Sequence, residues 1–177
     1  MFFRITLLLI GCWSSLGAIV IEPCPPGWTE YKGYCYRYFS HIKSWTEAQD
    51  FCRNVGANGY STGSKYQTSD LTSIHSAAEN DFLYHYWLSC RDSNTADVTN
   101  LYIGLNDPGR DRVWKWVDGS ESDYVNWNTG EPNNYENRGE FYVTMLNNKK
   151  WNDEHVSDAK VFTFICKMPR DYDCRIQ

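Results

Sequence analysis

Cysteine placement limits this chain more than any other feature. Seven occur: Cys12, Cys24, Cys35, Cys52, Cys90, Cys166 and Cys174. The first falls in a segment that reads as removable. Residues 1–17 carry one positive charge, Arg4, then an apolar run from Ile5 to Ile10 and the small residues Ser14, Ser15 and Gly17. That is the pattern of a secretory signal peptide, with cleavage after Gly17. A signal anchor is the competing reading, since Ile5 to Ile21 approaches the shortest span that crosses a bilayer, about 17 residues. Interruption by Ser14, Ser15 and Gly17 favours the cleaved leader, and no later apolar stretch is long enough to insert. The expected product is a secreted, extracellular chain with six cysteines, an even number that an oxidising compartment turns into disulfides. Spacing alone does not choose among the pairings.

The 177 residues suffice for one well-buried domain and are short for two. Lys and Arg number 17 against 22 Asp and Glu, a net charge of -5, so a phosphate backbone or an anionic membrane is not the expected partner. A domain over residues 24–168 and a polar tail over 169–177 account for the rest. Ser44-Trp45-Thr46-Glu47 has capping-box spacing, with Trp45, Ala48, Cys52 and Val55 at helical intervals before Gly56. Ser76 to Glu79 repeats the signal and predicts a second helix with Ala78, Phe82 and Tyr86 on one face and Leu83 beside them. Strands are predicted at Tyr34 to Phe39, Leu101 to Leu105, Val113 to Trp116, Phe141 to Leu146 and Phe162 to Cys166. Two helices and several antiparallel strands predict an α+β class. Asp118 to Glu140 has few strand formers, and an irregular loop of that length in a small domain is usually functional.

These residues together resemble the C-type lectin domain over essentially the whole chain after the leader. Cys24-Pro25-Pro26-Gly27-Trp28 with Tyr34-Cys35-Tyr36 is similar to that family's amino-terminal hairpin. Tyr102-Ile103-Gly104-Leu105 matches its core motif with Tyr in place of Trp, and Glu131-Pro132-Asn133 and Trp151-Asn152-Asp153 match its calcium and sugar motifs. The resemblance implies a fold of two helices, antiparallel sheets and a long calcium-binding loop. It also implies disulfides Cys24–Cys35 and Cys52–Cys166, and a cis peptide before Pro132. Tyr142 and Val156 stand where many relatives carry a further bridge. Cys90 and Cys174 lie outside the pattern: they bridge each other, or one of them pairs across subunits in a covalent homo-oligomer.

Glu131, Asn133, Glu140, Asn152 and Asp153 offer three carboxylates and two amides. One oxygen from each, with the Asp153 carbonyl, makes a shell that leaves about two positions open on a calcium ion taking about 6 to 8 oxygens. Vicinal sugar hydroxyls fit that opening, each offering lone pairs to the ion and to an Asn amide while its proton goes to a carboxylate. The order Glu-Pro-Asn resembles the mannose-type arrangement; Gln-Pro-Asp is the galactose type. The loop is one residue longer than the common spacing, so Glu136 competes with Glu140 for the third carboxylate, and Tyr135 is placed to stack on a sugar face. A second calcium position used by many relatives would draw on Asp107, Asp111, Asn134 and Glu140, but Phe141 stands where its fifth acid would be.

Other chemistry has little support. His41, His75, His85 and His155 are scattered without zinc-ligand spacing. Neither a Gly-x-Ser-x-Gly elbow nor a phosphate-binding glycine loop is present, so no enzyme is expected. Trp114, Trp116, Trp127 and Trp151 read as packing. The sequence thus predicts a calcium-dependent lectin for glycans with mannose-type hydroxyls, and the rival is a module of the same fold that binds a protein or another non-sugar surface.

Overall fold

Two capping boxes set the helix starts. At the first, the Ser44 N–H and hydroxyl donate to the Glu47 carboxylate at 3.0 and 2.8 Å, and the Glu47 N–H returns a 3.4 Å bond to Ser44 Oγ. At the second, the Glu79 N–H donates to Ser76 Oγ at 3.2 Å, while the Glu79 carboxylate accepts from the His75 N–H at 2.8 Å. These exchanges satisfy N-terminal donors that have no partner within the helix.

The computed structural model of the chain describes residues 19–21, 23–58, 68–92, 94–95, 98–155, 162–170 and 172–174. Its elements begin with β1 (Ile19–Ile21), β2 (Thr29–Tyr31), β3 (Tyr34–Lys43), α1 (Trp45–Asn58), β4 (Asp70–Leu71) and α2 (Ala77–Cys90). They continue with β5 (Asn100–Asn106), β6 (Lys115–Trp116), β7 (Tyr142–Leu146), β8 (Trp151–Glu154), β9 (Phe162–Pro169) and β10 (Tyr172–Cys174). The main sheet runs β2-β3-β9-β5-β7-β8, with β4 on β9 and β6 on β5; β1 and β10 form a separate ribbon. The expected leader, Val156 and residues 175–177 lie outside the described residues.

Central strands β5 and β9 are buried on both faces. Leu101, Ile103, Leu105 and Ile165 enter one core with Leu83, Trp87, Trp116 and Trp151. Tyr102, Phe164 and Cys166 enter the other with Trp45, Ala48 and Cys52 of α1. A two-residue period sends successive side chains to opposite faces, so one strand feeds two cores. Gly104 of the Ile-Gly-Leu motif is required sterically, because a Cβ there would lie 2.5 Å from the Leu71 carbonyl and 2.9 Å from Val117 Cγ2.

The sheet corrects several expectations. It is mixed: β5 and β9 run parallel, Leu101 opposite Thr163 and Tyr102 opposite Phe164. Strands covered on both faces read as apolar runs that carry no sign of partner direction. The strand expected from Val113 shrinks to Lys115–Trp116, with Val113 half exposed. The buried face of α2 is Glu79, Asn80, Leu83 and Trp87, one position on from the expected face; Ala78 is exposed, while at its margin Phe82 packs on Tyr31 and Tyr36 and Tyr86 stacks on Phe82. Helical spacing placed the stripe on the apolar residues, but Glu79 and Asn80 are buried because the interior satisfies them. Cys24–Cys35 and Cys52–Cys166 are bridged, and Cys90 is a free thiol at the end of α2. The Cys174 side chain lies outside the described residues. Tyr142 packs its ring on Trp45, 4.5 Å between centroids. Pro169 belongs to β9, and the tail forms β10, which pairs with β1.

Candidate functional site

The site is built where the long loop after β6 is stitched back to β7 and β8. At its base, Ser73 Oγ donates to Asp118 at 2.6 Å and His75 Nδ1 lies 2.8 Å from Asp123. Farther along, the Trp151 N–H donates to the Asn126 carbonyl and the Asn128 N–H to the Trp151 carbonyl, at 2.9 and 2.8 Å. The Trp114 and Trp127 rings meet beneath it at a 58° tilt, 5.1 Å between centroids, and the Trp127 ring lies 6.1 Å from Trp151, which is fully buried. These tryptophans pack the loop, as expected, and the long segment is a folded ledge.

Asp153 ties the ledge to β8. Its buried carboxylate accepts from the backbone N–H groups of Asn133 and Asn134 at 3.0 and 2.8 Å. Glu131 begins this turn through its N–H to the Asn128 carbonyl, 3.0 Å, and the Glu131–Pro132 peptide is cis. The Asn152 amide donates to the Asp153 carbonyl at 2.7 Å and to Glu154 at 3.2 Å, which commits its nitrogen and leaves Oδ1 as the acceptor. Glu140 Oε2 accepts from the Tyr135 N–H at 2.6 Å. Glu136 instead pairs with Arg138 in the exposed turn Tyr135–Asn137. Between the two competing acids, the geometry joins Glu140 to the cluster.

Acids crowd together here, Glu131 feeling both Asp153 and Glu140. Glu131 Oε2 is buried with no hydrogen-bond partner among the described residues. Burial, then the adjacent Asp153 and the charge of Glu140, push the Glu131 carboxyl up to about 7. A carboxylate raised this way gains from a cation that replaces lost solvation and cancels repulsion. Among the described residues no three His, Cys, Asp or Glu side chains converge as an acid, thiol or imidazole centre by themselves. The fit to a hard cation rests on acids and amides mixed, Glu131, Asn133, Glu140, Asn152 and Asp153.

The alternative second position looks different. Asp107 is buried, not a solvated turn residue, and its carboxylate accepts from the Asp111 and Arg112 N–H groups at 3.2 and 2.9 Å. The Arg110 guanidinium lies 4.9 Å over the Phe141 ring. Asn134 Oδ1 accepts from Gly139 and Glu140 N–H at 2.8 and 3.1 Å. Asp107 and Asn134 thus each hold the backbone of their own loop.

One polar network was not foreseen. Lys167 Nζ, buried in β9, donates to Glu79 at 2.7 Å and to Ser73 Oγ at 3.1 Å, and the Tyr36 hydroxyl donates to Glu79 at 2.6 Å. The signal was a lysine directly after Cys166 in an otherwise apolar strand. With His75 Nε2 at 3.1 Å from Ser73 Oγ and Asp123 beyond it, the network contains a Ser-His-Asp series. It is not a catalytic triad: Ser73 is fully buried and its proton is committed to Asp118.

Residues 41–168 match the model of the lectin C-type domain. A C-type lectin mannose-binding isoform of Oxyuranus scutellatus is 36% identical over 170 residues, covering 94% of this chain and 96% of that one. An alpha-N-acetylgalactosamine-specific lectin of Patiria pectinifera is 35% identical over 175 residues, with 94% and 96% covered. The crystal structure of the C-type lectin CEL-I from Cucumaria echinata superposes with a TM-score of 0.72 at 31% identity, covering 85% of this chain and all of that one. Among the described residues no helix is long and apolar enough to cross a membrane.

Proposed function

The chain belongs to the C-type lectin family, a family of non-enzymatic carbohydrate-binding proteins, and from that premise we propose that it is a secreted lectin that binds mannose-type sugars in a calcium-dependent manner. The observation that carries the calcium part is the buried, unpartnered Glu131 oxygen in a cluster whose acids repel one another. Glu131, Asn133, Glu140, Asn152 and Asp153 would hold the ion. When bound, calcium supplies a Lewis-acidic anchor for two neighbouring sugar hydroxyls.

The chain's own residues do the discriminating. Asn133 offers an amide donor to hydroxyl lone pairs, Asn152, whose nitrogen is held by Asp153 and Glu154, offers its side-chain oxygen to the ion, and Glu131 and Glu140 offer carboxylate acceptors to hydroxyl protons. Similar identities to a mannose-binding and to an N-acetylgalactosamine-specific relative leave ligand choice to the site itself. Here the order acid-Pro-amide, Glu131-Pro132-Asn133, supports the mannose type: mannose, glucose, fucose or N-acetylglucosamine residues with equatorial-like vicinal hydroxyls. A shallow single site gives weak binding, so presentation as a homo-oligomer would raise avidity. Retention of the protein on mannose-agarose, released by a calcium chelator, is the expected result. Chelator-insensitive retention, or none with calcium present, would favour a module of this fold that binds a protein or other non-sugar surface.

A further inference from the structure

Residues 134–139 form a small excursion whose backbone is costly to hold. Asn134, Glu136, Asn137 and Gly139 all have positive φ, at 48°, 55°, 56° and 80°, a left-handed conformation that side chains other than Asn, Asp and Gly adopt unwillingly. Of the four, Glu136 is the one whose residue type resists that conformation. Left alone, such a loop samples other shapes, and Glu140, at its end, would move with it. We propose that Asn134 is the positioning residue that locks this loop and presents Glu140 to the calcium and sugar site before any ion arrives; the inference rests on the proposed function for the identity of the site.

Asn134 is bonded on both sides of the excursion. Its backbone N–H donates to Asp153 at 2.8 Å, fixing its start to β8. Its side-chain oxygen closes the other end by accepting from the N–H groups of Gly139 and Glu140 at 2.8 and 3.1 Å. The Tyr135 N–H then donates to Glu140 Oε2 at 2.6 Å, so the carboxylate is held by the backbone next to the lock. Packing supports the closed shape: the Phe141 ring lies 2.7 Å from where a Gly139 Cβ would be, and Arg110 covers the same ring at 4.9 Å. No other side chain could replace Asn134 by size alone. The position needs a left-handed backbone together with a short side chain bearing an acceptor, which leaves Asn and Asp.

Asn134→Gly is the informative variant, because glycine keeps the left-handed backbone without strain and removes only the acceptor. Asn134→Asp restores the acceptor. Two measurements are made on the whole protein: calcium affinity by isothermal titration, and amide hydrogen exchange of residues 135–140 with calcium removed. Expected are a calcium affinity about tenfold weaker in Asn134→Gly, faster exchange at Gly139 and Glu140 in that variant, an unchanged melting temperature to within a few degrees, and recovery of both readouts in Asn134→Asp. Wild-type calcium affinity in Asn134→Gly would overturn the positioning role and leave the proposed function standing. A wild-type protein that binds no calcium defeats the proposed function; the exchange of the calcium-free proteins then still decides the lock, which fails if Gly139 and Glu140 exchange equally in wild type and Asn134→Gly.

Discussion

Glu131 is a carboxyl whose surroundings disfavour its charge. Its pKa in the fold is raised to about 7, first by burial, then by Asp153 and Glu140, against an ordinary glutamate value of about 4.3 in an unfolded chain. The native state therefore holds this proton more tightly than the unfolded state does. That contribution to stability is fully present below about pH 4.3 and is lost as pH rises through about 7. In chelator, wild-type melting temperature should fall relative to Glu131→Gln across this window, and thermal unfolding of both proteins at several pH values checks it. A constant difference between them would mean that Glu131 feels no such environment. Donor and acceptor order is tested at the same scale. Exchanging the two polar groups in Glu131→Gln with Asn133→Asp should shift preference from mannose toward galactose in competition on a sugar-coated surface, because each hydroxyl then meets the opposite hydrogen-bonding partner. Unchanged preference in the double variant would remove the argument from the triplet.

At the scale of elements, β9, α2 and the loop base are joined through one buried ion pair. Lys167 and Glu79 have side-chain exposures of 4% and 9%, so neither can exchange its partner for water. Lys167→Met leaves Glu79 with the Tyr36 hydroxyl and the His75 N–H but with no counter-ion, and a broken buried pair costs about 3 to 5 kcal/mol. Adding Glu79→Gln to the same protein should recover part of that loss, because the stranded charge is then gone. Urea unfolding of the single and double variants measures both. A single variant as stable as wild type would show that the pair is solvated in practice. The same region explains why α2 faces a different way from its apolar stripe. Residue type marks Phe82 and Tyr86 as inward, yet Glu79 and Asn80 lie deeper: Glu79 meets Lys167 and Tyr36, and the Asn80 amide oxygen accepts from the Trp151 indole N–H at 2.8 Å.

For the molecule as a whole, the two bridges do different amounts of work. Cys24–Cys35 spans 11 positions and Cys52–Cys166 spans 114. Chain entropy in the unfolded state grows with the logarithm of loop length, so the long bridge should stabilise by about 2 kcal/mol more than the short one. Paired Cys→Ala variants of each bridge, compared by denaturant unfolding, measure the gap. Equal losses would place the effect of the long bridge in native-state strain or in residual unfolded structure. The long bridge also ties α1 to the strand carrying Lys167, so its loss should be felt at the base of the functional ledge.

Local signals in the sequence determined the helix starts, the central strands, the Gly104 contact motif and the list of oxygen donors, since each is written in adjacent residues or in a short period. The mixed direction of β5 and β9, the turned face of α2 and the Lys167 network came only with the tertiary structure. Each of these depends on which distant group stands opposite, and a one-dimensional pattern of apolar and polar residues does not say where a buried charge will find its partner.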